Sequence, residues 1–112
     1  MMPKNEQPNS EQLLLAMTQA ATQTASLLKT LGNPDRLLLL CQLTQGEACV
    51  SDLEASLGIV QPTLSQQLTV LRNEGLVATR REGKRIYYSI ADEKLFTLLN
   101  TLYQLYCPVK GN

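Results

Sequence analysis

Two short helices separated by a tight turn, with a basic hairpin directly after them, constrain the fold of this chain most. The stretch reads SDLEASLGIVQPTLSQQLTVLRNEGLVATRREGKRIYYSI and covers residues 51–90. Ser51 and Glu54 have the spacing of a capping box, which predicts that a short helix begins at Ser51. Pro62 predicts the start of a second helix, which runs to Glu74. A glycine follows each of these helices and favours a stop there.

The hairpin is predicted from two alternating segments, LVATRR and RIYYSI, which are joined by EGK. Two helices linked by a turn and followed by a basic hairpin have the layout of a winged helix-turn-helix. In that arrangement the second helix fits the major groove of DNA and the hairpin, or wing, lies beside it. The segment therefore predicts a DNA-binding module.

Two further helices are predicted before this module. Apolar residues at helical spacing indicate a helix over residues 10–31, which we expect Gly32 to end in the left-handed conformation. Asn33 as N-cap and Pro34 in the first turn predict the start of the next helix, which is closed by Gly46. Its sequence, PDRLLLLCQLTQ, is apolar on every side, so we expect a central helix.

A last helix over residues 92–107, with Asp92 as its N-cap, completes a mainly α fold with a small β-hairpin. The predicted order is four helices, the hairpin wing and a fifth helix. We expect a flexible N-terminal arm over residues 1–9, one domain over 10–107 and a C-terminal tail over 108–112.

The charge is balanced over the whole chain but not along it. Ten Lys and Arg residues oppose ten Asp and Glu, whereas residues 58–90 hold five cations and two anions. A local basic patch is what DNA binding requires. On the second helix of the module we expect amide and hydroxyl contacts to bases from Gln61, Thr63, Ser65, Gln66 and Thr69. The basic contacts to phosphate or the minor groove are expected from Arg72, Arg80, Arg81, Lys84 and Arg85.

Three cysteines and no histidine limit the remaining chemistry. No stretch has the length and hydropathy of a membrane span, and the N-terminus lacks a secretory pattern, so we expect a cytoplasmic protein with reduced thiols. Cys41 lies in the leucine-rich run RLLLLCQL, where packing alone would account for it. Without histidine, a glycine-rich phosphate loop or a paired nucleophile and base, the chain is not expected to be an enzyme.

The chain resembles the ArsR/SmtB family of bacterial repressors in three stretches: LLKTLGNPDRLLLLCQL, SDLEASLGIVQPTLSQQLTVLRNEGLV and TRREGKRIYYSI. The resemblance implies a winged helix-turn-helix homodimer in which helices 10–31 and 92–107 form the interface. Such a dimer would present two reading helices to a palindromic double-stranded operator. Many members have a histidine in the reading helix, where this chain has Gln66 and Gln67, so their base preference does not carry over.

Within that family, RLLLLCQL, QPTLSQQL and LYQLYCP resemble the BigR/SqrR subgroup of persulfide sensors. The resemblance implies that Cys41 and Cys107 are a sensing dithiol, with inorganic polysulfide or a low-molecular-weight persulfide as effector. Their cross-linking, as a disulfide or through extra sulfur atoms, would release the operator. This interpretation includes no cofactor and no metal site.

Two other functions are open at this point. The family's arsenic and cadmium sensors typically carry Cys-Val-Cys-Asp-Leu at the third helix, where this chain has Cys49-Val50-Ser51-Asp52-Leu53. A soft metal or metalloid could therefore be sensed through Cys49 together with other thiols. The other possibility is an interaction protein whose helices dock another regulator without any switch.

Overall fold

The computed structural model describes residues 9–108. The helices are α1 (Ser10–Leu31), α2 (Pro34–Leu43), α3 (Val50–Leu57), α4 (Thr63–Asn73) and α5 (Glu93–Tyr106), and the strands are β1 (Ala48–Cys49), β2 (Val77–Glu82) and β3 (Arg85–Ile90). The predicted winged helix-turn-helix order is confirmed. The expected arm and tail lie outside the described residues, except for Asn9 and Pro108.

The chain divides into two compact units, one ending at Gly32 and the other beginning at Asn33. The first unit is helix α1, which is capped by Asn9: its side-chain oxygen accepts the Gln12 N–H at 2.8 Å. Gly32 does not adopt the expected left-handed conformation, because its φ is −73°. The helix ends there because Pro34 forces Asn33 into an extended conformation.

Helix α2 is the centre of the second unit and packs against α3, α4, α5 and β3. Asn33 caps it as predicted, since its side chain accepts the Arg36 N–H at 3.0 Å. The leucines that face the core, Leu39, Leu40 and Leu43, are buried. The helix ends at Leu43 rather than at the expected turn before Gly46, and the Thr44 hydroxyl donates to the Cys41 carbonyl at 2.6 Å.

Helix α3 begins earlier than the sequence pattern predicted. Its N-cap is Cys49 and not Ser51, and the capping carboxylate belongs to Asp52, which accepts the Cys49 N–H at 3.3 Å. The reason is strand β1, which pairs antiparallel with β3 through Cys49 and Tyr87. Cys49 is therefore held extended at the end of a strand, and the helix starts with the next residue.

Helix α4 buries one stripe of leucines, Leu64, Leu68 and Leu71. Pro62 is its N-cap rather than a residue of its first turn. The wing is an antiparallel hairpin whose register runs from Val77 opposite Ile90 to Glu82 opposite Arg85, so that Gly83 and Lys84 form the turn. Gly83 has a φ of +63°, which an L side chain adopts only with strain.

The three strands form one sheet in the order β1-β3-β2. Helix α5 follows the wing and is capped by Asp92, whose side chain accepts the Leu95 N–H at 2.8 Å, as predicted. Between residues 9 and 108, no helix is long and apolar enough to cross a membrane.

Candidate DNA-binding surface and thiol pair

The polar face of α4 lies opposite its buried leucines. Gln61, Ser65, Gln66 and Thr69 are exposed there, and Thr63 is half-buried at the start of the helix. Two of these side chains also support the helix itself. The Gln61 side-chain oxygen accepts the Ser65 N–H at 3.0 Å, and the Thr69 hydroxyl donates to the Ser65 carbonyl at 2.9 Å. Gln66 and Ser65 therefore present the most accessible side chains for base edges.

A hydrogen bond that the sequence did not indicate joins α2 to α4. The Arg36 guanidinium donates to the Gln67 side-chain oxygen at 3.1 Å in a partly buried position. Gln67 is thus half-buried and bonded within the protein, whereas the side chain of its neighbour Gln66 is exposed to solvent. The residues are 31 positions apart, so local sequence patterns could not pair them.

Arg80 on the wing is already engaged within the protein. Its guanidinium donates to both oxygens of Glu47, at 3.0 and 2.9 Å from Nε, and to Glu82 at 2.9 Å. It also lies over the ring of Tyr87, 4.6 Å from the centroid. The hydrogen bond from Arg80 lowers the pKa of the Glu47 carboxyl. The pair connects the loop after α2 to the wing.

The other predicted cations are exposed, namely Arg72, Arg81, Lys84 and Arg85. Arg81 donates from Nε to the Gly83 carbonyl at 3.1 Å, which supports the wing turn. A hydrogen bond with Tyr87 is the main cause of the raised pKa of Arg85. Three of the four lie on the wing, and Arg72 lies in the last turn of α4.

Cys49 is buried at the junction of β1 and α3, with 4% of its surface exposed. Its sulfur lies 3.2 Å from the Ser51 hydroxyl and donates to the Asp52 carboxylate at 3.2 Å. Hydrogen bonds from the Cys49 thiol and N–H lower the pKa of Asp52. Within the described part of the chain, no three His, Cys, Asp or Glu side chains are grouped to hold a metal ion.

Cys41 and Cys107 are brought together from two different helices. Cys41 lies on α2 and Cys107 caps the C-terminus of α5, and both are half-buried thiols. The two residues line the same two clefts, of about 450 and 440 Å³. Burial, and secondly the nearby charge of Cys107, raise the pKa of Cys41.

Tyr103 is a site residue that the sequence interpretation missed. It lines both clefts together with the two cysteines. A hydrogen bond with Cys107 is the main cause of the raised pKa of its phenol. The available signal was the spacing of four between Tyr103 and Cys107, which places them on one face of a helix.

The second unit is therefore a winged helix-turn-helix domain with a polar face on α4, exposed cations on the wing, and a thiol pair contributed by α2 and the end of α5. Residues 33–79 match the family model described as "Bacterial regulatory protein, arsR family". The chain is 54% identical over 99 residues to the biofilm growth-associated repressor of Agrobacterium fabrum, covering 88% of this chain and 85% of that protein. The chain belongs to the arsR family, as the sequence resemblance predicted.

Solved structures of relatives agree with this assignment. The transcriptional repressor BigR from Xylella fastidiosa superposes with a TM-score of 0.78 at 49% identity, covering 84% of this chain and 96% of that one. Reduced HlyU from Vibrio cholerae has a TM-score of 0.78 at 35% identity, with 82% and 97% covered. The protein is thus a transcriptional regulator of the winged-helix type, similar to BigR.

Proposed function

We propose that this protein is a transcriptional repressor that binds operator DNA and releases it when a Cys41–Cys107 dithiol reacts with persulfide or polysulfide. The observation that carries the proposal is that these two thiols, on α2 and α5, line the same two clefts. The similarity to proteins named as repressors supports the DNA-binding half. The similarity of the cysteine-containing segments to the persulfide-sensing subgroup supports the proposed reaction with persulfide or polysulfide.

DNA recognition is assigned to α4 and the wing. The amide and hydroxyl groups of Gln61, Thr63, Ser65, Gln66 and Thr69, all exposed except the half-buried Thr63, face the major groove and contact base edges or phosphates. The cations Arg72, Arg81, Lys84 and Arg85 contact the phosphate backbone or the minor groove. Arg80, also predicted to contact DNA, contributes there only by exchanging its carboxylate partners for a phosphate.

A homodimer is the proposed binding form, with its interface on residues 10–31 and 92–107. Helix α1 exposes several large apolar side chains, namely Leu13, Leu14, Leu15, Met17 and Leu28. Helix α5 exposes Phe96, Leu105 and Tyr106. Apolar surface of this kind on two helices is typical of an interface between subunits. Two-fold symmetry then matches a palindromic operator.

The sulfur chemistry needs no cofactor. The thiolate of each cysteine attacks the terminal sulfur of a hydropersulfide RSSH, so that the S–S bond of RSSH breaks and RS⁻ leaves with the electron pair. Each cysteine becomes Cys–S–SH. Attack of one Cys–S–S⁻ on the other persulfide at its γ-sulfur expels HS⁻ and leaves a trisulfide. If only one cysteine is persulfidated, the other thiolate attacks it, HS⁻ leaves and a disulfide remains.

Helix α2 provides the route from the linkage to DNA. It carries Cys41 and packs against α4, and its Arg36 holds Gln67 of the reading helix at 3.1 Å. A bond from Cys41 to Cys107 fixes α2 relative to α5 and so changes the orientation of α4. Release of DNA is then an allosteric coupling between the thiol pair and the operator.

A soft metal or metalloid sensed through Cys49 is the second candidate function. The observation that favours it is the thiol of Cys49 lying 3.2 Å from the Asp52 carboxylate, since the two could share a soft cation. Thiols from other parts of the protein would have to complete such a site.

One titration separates these functions. Operator affinity is measured at fixed salt before and after glutathione persulfide, with hydrogen peroxide, arsenite and cadmium as parallel treatments. We expect affinity to fall with persulfide in the wild type and to be retained in Cys41→Ser and Cys107→Ser. A full persulfide response of both variants would contradict the dithiol. Release by arsenite or cadmium that needs Cys49 would favour metal sensing, and lack of specific DNA binding at low salt would favour an interaction protein.

A further inference from the structure

Tyr103 of α5 lines both of the clefts that Cys41 and Cys107 line. It is one helical turn before Cys107, and the Cys107 N–H donates to the Tyr103 carbonyl at 2.9 Å. Because residues four apart lie on the same helix face, the phenol and the thiol point to the same side. Cys41, Tyr103 and Cys107 are the three residues common to both clefts.

The two clefts differ in the rest of their walls. One is completed by Leu37, Leu102 and Tyr106, and the other by Leu38, Gln42 and Gln45. The first set is mostly apolar and the second contains two amides. Tyr103 and both cysteines therefore border an apolar cleft and a more polar one.

The phenol is suited to holding a thiolate. A tyrosine hydroxyl is protonated at neutral pH and can donate to a thiolate. The hydrogen bond with Cys107 raises the pKa of Tyr103 further. A donor of this kind to an anion forms a stronger hydrogen bond than a neutral pair does. Burial raises the pKa of Cys41, so the formation of a thiolate is disfavoured at that cysteine.

We propose that Tyr103 is the positioning residue of the sulfur switch: its hydroxyl holds the Cys107 thiolate in the cleft wall, so that Cys107 attacks the persulfide first and Cys41 resolves. This inference rests on the proposed function. In the first step the Cys107 sulfur forms a bond to the terminal sulfur of RSSH. The S–S bond of RSSH breaks, and RS⁻ leaves with the electron pair. No other oxidant is required.

The test compares Tyr103→Phe with the control Tyr88→Phe, which removes a hydroxyl from strand β3, outside both clefts. Iodoacetamide labelling of Cys107 is followed at neutral pH by peptide mass spectrometry. A donor to the sulfur favours the thiolate but also lowers its nucleophilicity, so the net effect on the labelling rate is only about a fewfold. We expect Tyr103→Phe to slow labelling by about threefold and Tyr88→Phe to leave it unchanged. Equal rates in both variants would overturn the proposal.

Rapid-quench mass spectrometry with glutathione persulfide tests the order of reaction in the wild type. Extra sulfur is expected on Cys107 before Cys41, and the reverse order would overturn the proposal. If neither cysteine gained sulfur, the proposed function would fail, whereas the iodoacetamide comparison would still decide the role of Tyr103.

A spectroscopic measurement is independent of the tyrosine variants. The phenol carbon of Tyr103 is titrated by NMR in the wild type and in Cys107→Ala. We expect Tyr103 to ionise at lower pH in Cys107→Ala, because the hydrogen bond that raises its pKa is removed. An unchanged titration would show that the phenol does not hold the thiol, and would overturn the proposal.

Discussion

Glu47, in the loop after α2, holds Arg80 of the wing through both of its carboxylate oxygens, although the two residues are 33 positions apart. Because Glu82 also binds the guanidinium, a cation predicted from sequence to contact DNA is paired with two carboxylates of the protein itself at an exposed position. The arrangement separates cations that shape the wing from cations that are available to phosphate.

The salt dependence of operator binding should reveal this separation. Lys84→Ala removes an exposed cation and should lower the slope of log K against log salt by about one for each phosphate that Lys84 neutralises. The double variant Glu47→Gln, Arg80→Gln removes one charge of each sign and should leave the slope near that of the wild type. A decrease of slope in the double variant as large as in Lys84→Ala would show that Arg80 binds phosphate.

Gln66 and Gln67 are neighbours, but we expect Gln66 to contact DNA and Gln67 to stabilise the fold. Substitution of each by alanine should distinguish the two roles. Gln67→Ala breaks the bond to Arg36 and should lower the free energy of unfolding by about 1 kcal/mol. Gln66→Ala, at an exposed position, should change stability by less than about 0.5 kcal/mol. It should instead weaken specific operator binding by about 1–3 kcal/mol and leave binding to random DNA unchanged. Urea unfolding and anisotropy titrations measure the two effects, and equal stability losses would contradict this division.

The reactivity of Cys41 should depend on Cys107 through charge. Burial is the larger cause of the raised pKa of Cys41, and the charge of Cys107 is the second. In Cys107→Ser the second cause disappears, so alkylation of Cys41 should rise at lower pH than in the wild type. Because Cys41 remains half-buried, its alkylation should still require a higher pH than the alkylation of an exposed thiol. A profile that stays at the wild-type position would show that the two sulfurs are not close enough to interact.

Asp52 should make stability depend on pH in the acid range. The hydrogen bonds from Cys49 lower the pKa of Asp52 in the folded state, so its contribution is fully present above the unfolded value of about 4 and is lost as pH falls through the folded value. Asp52→Asn should therefore be less stable than the wild type at neutral pH, and the difference should shrink below about pH 4. A difference that is constant from pH 7 to pH 3 would contradict this role.

Local patterns predicted the elements but not their connections. The caps at Asn33 and Asp92 and the leucine stripe of α4 follow from residues within one or two turns, and all three are present. The predicted start of α3 was wrong because β1 pairs with β3, a strand distant in the sequence. A capping pattern involves only neighbouring residues and cannot predict that pairing.

The site was predictable to a similar degree. The polar face of α4 followed from helical spacing, whereas the Arg36–Gln67 and Glu47–Arg80 bonds depend on the tertiary fold. Sequence periodicity alone assigned Cys41 to packing, and only the family resemblance paired it with Cys107. The two cysteines line the same two clefts, and their pairing as a sensor stays a prediction.

The central claim is that one persulfide-driven bond between Cys41 and Cys107 releases the operator. The most direct test treats the DNA-bound protein with glutathione persulfide and measures, in the same samples, the fraction of DNA released and the mass of the peptides containing Cys41 and Cys107. The account predicts that release rises in proportion to a Cys41–Cys107 cross-link, with the mass of a disulfide or of a disulfide plus whole sulfur atoms. Release without that cross-link, or the cross-link with the operator still bound, would contradict it.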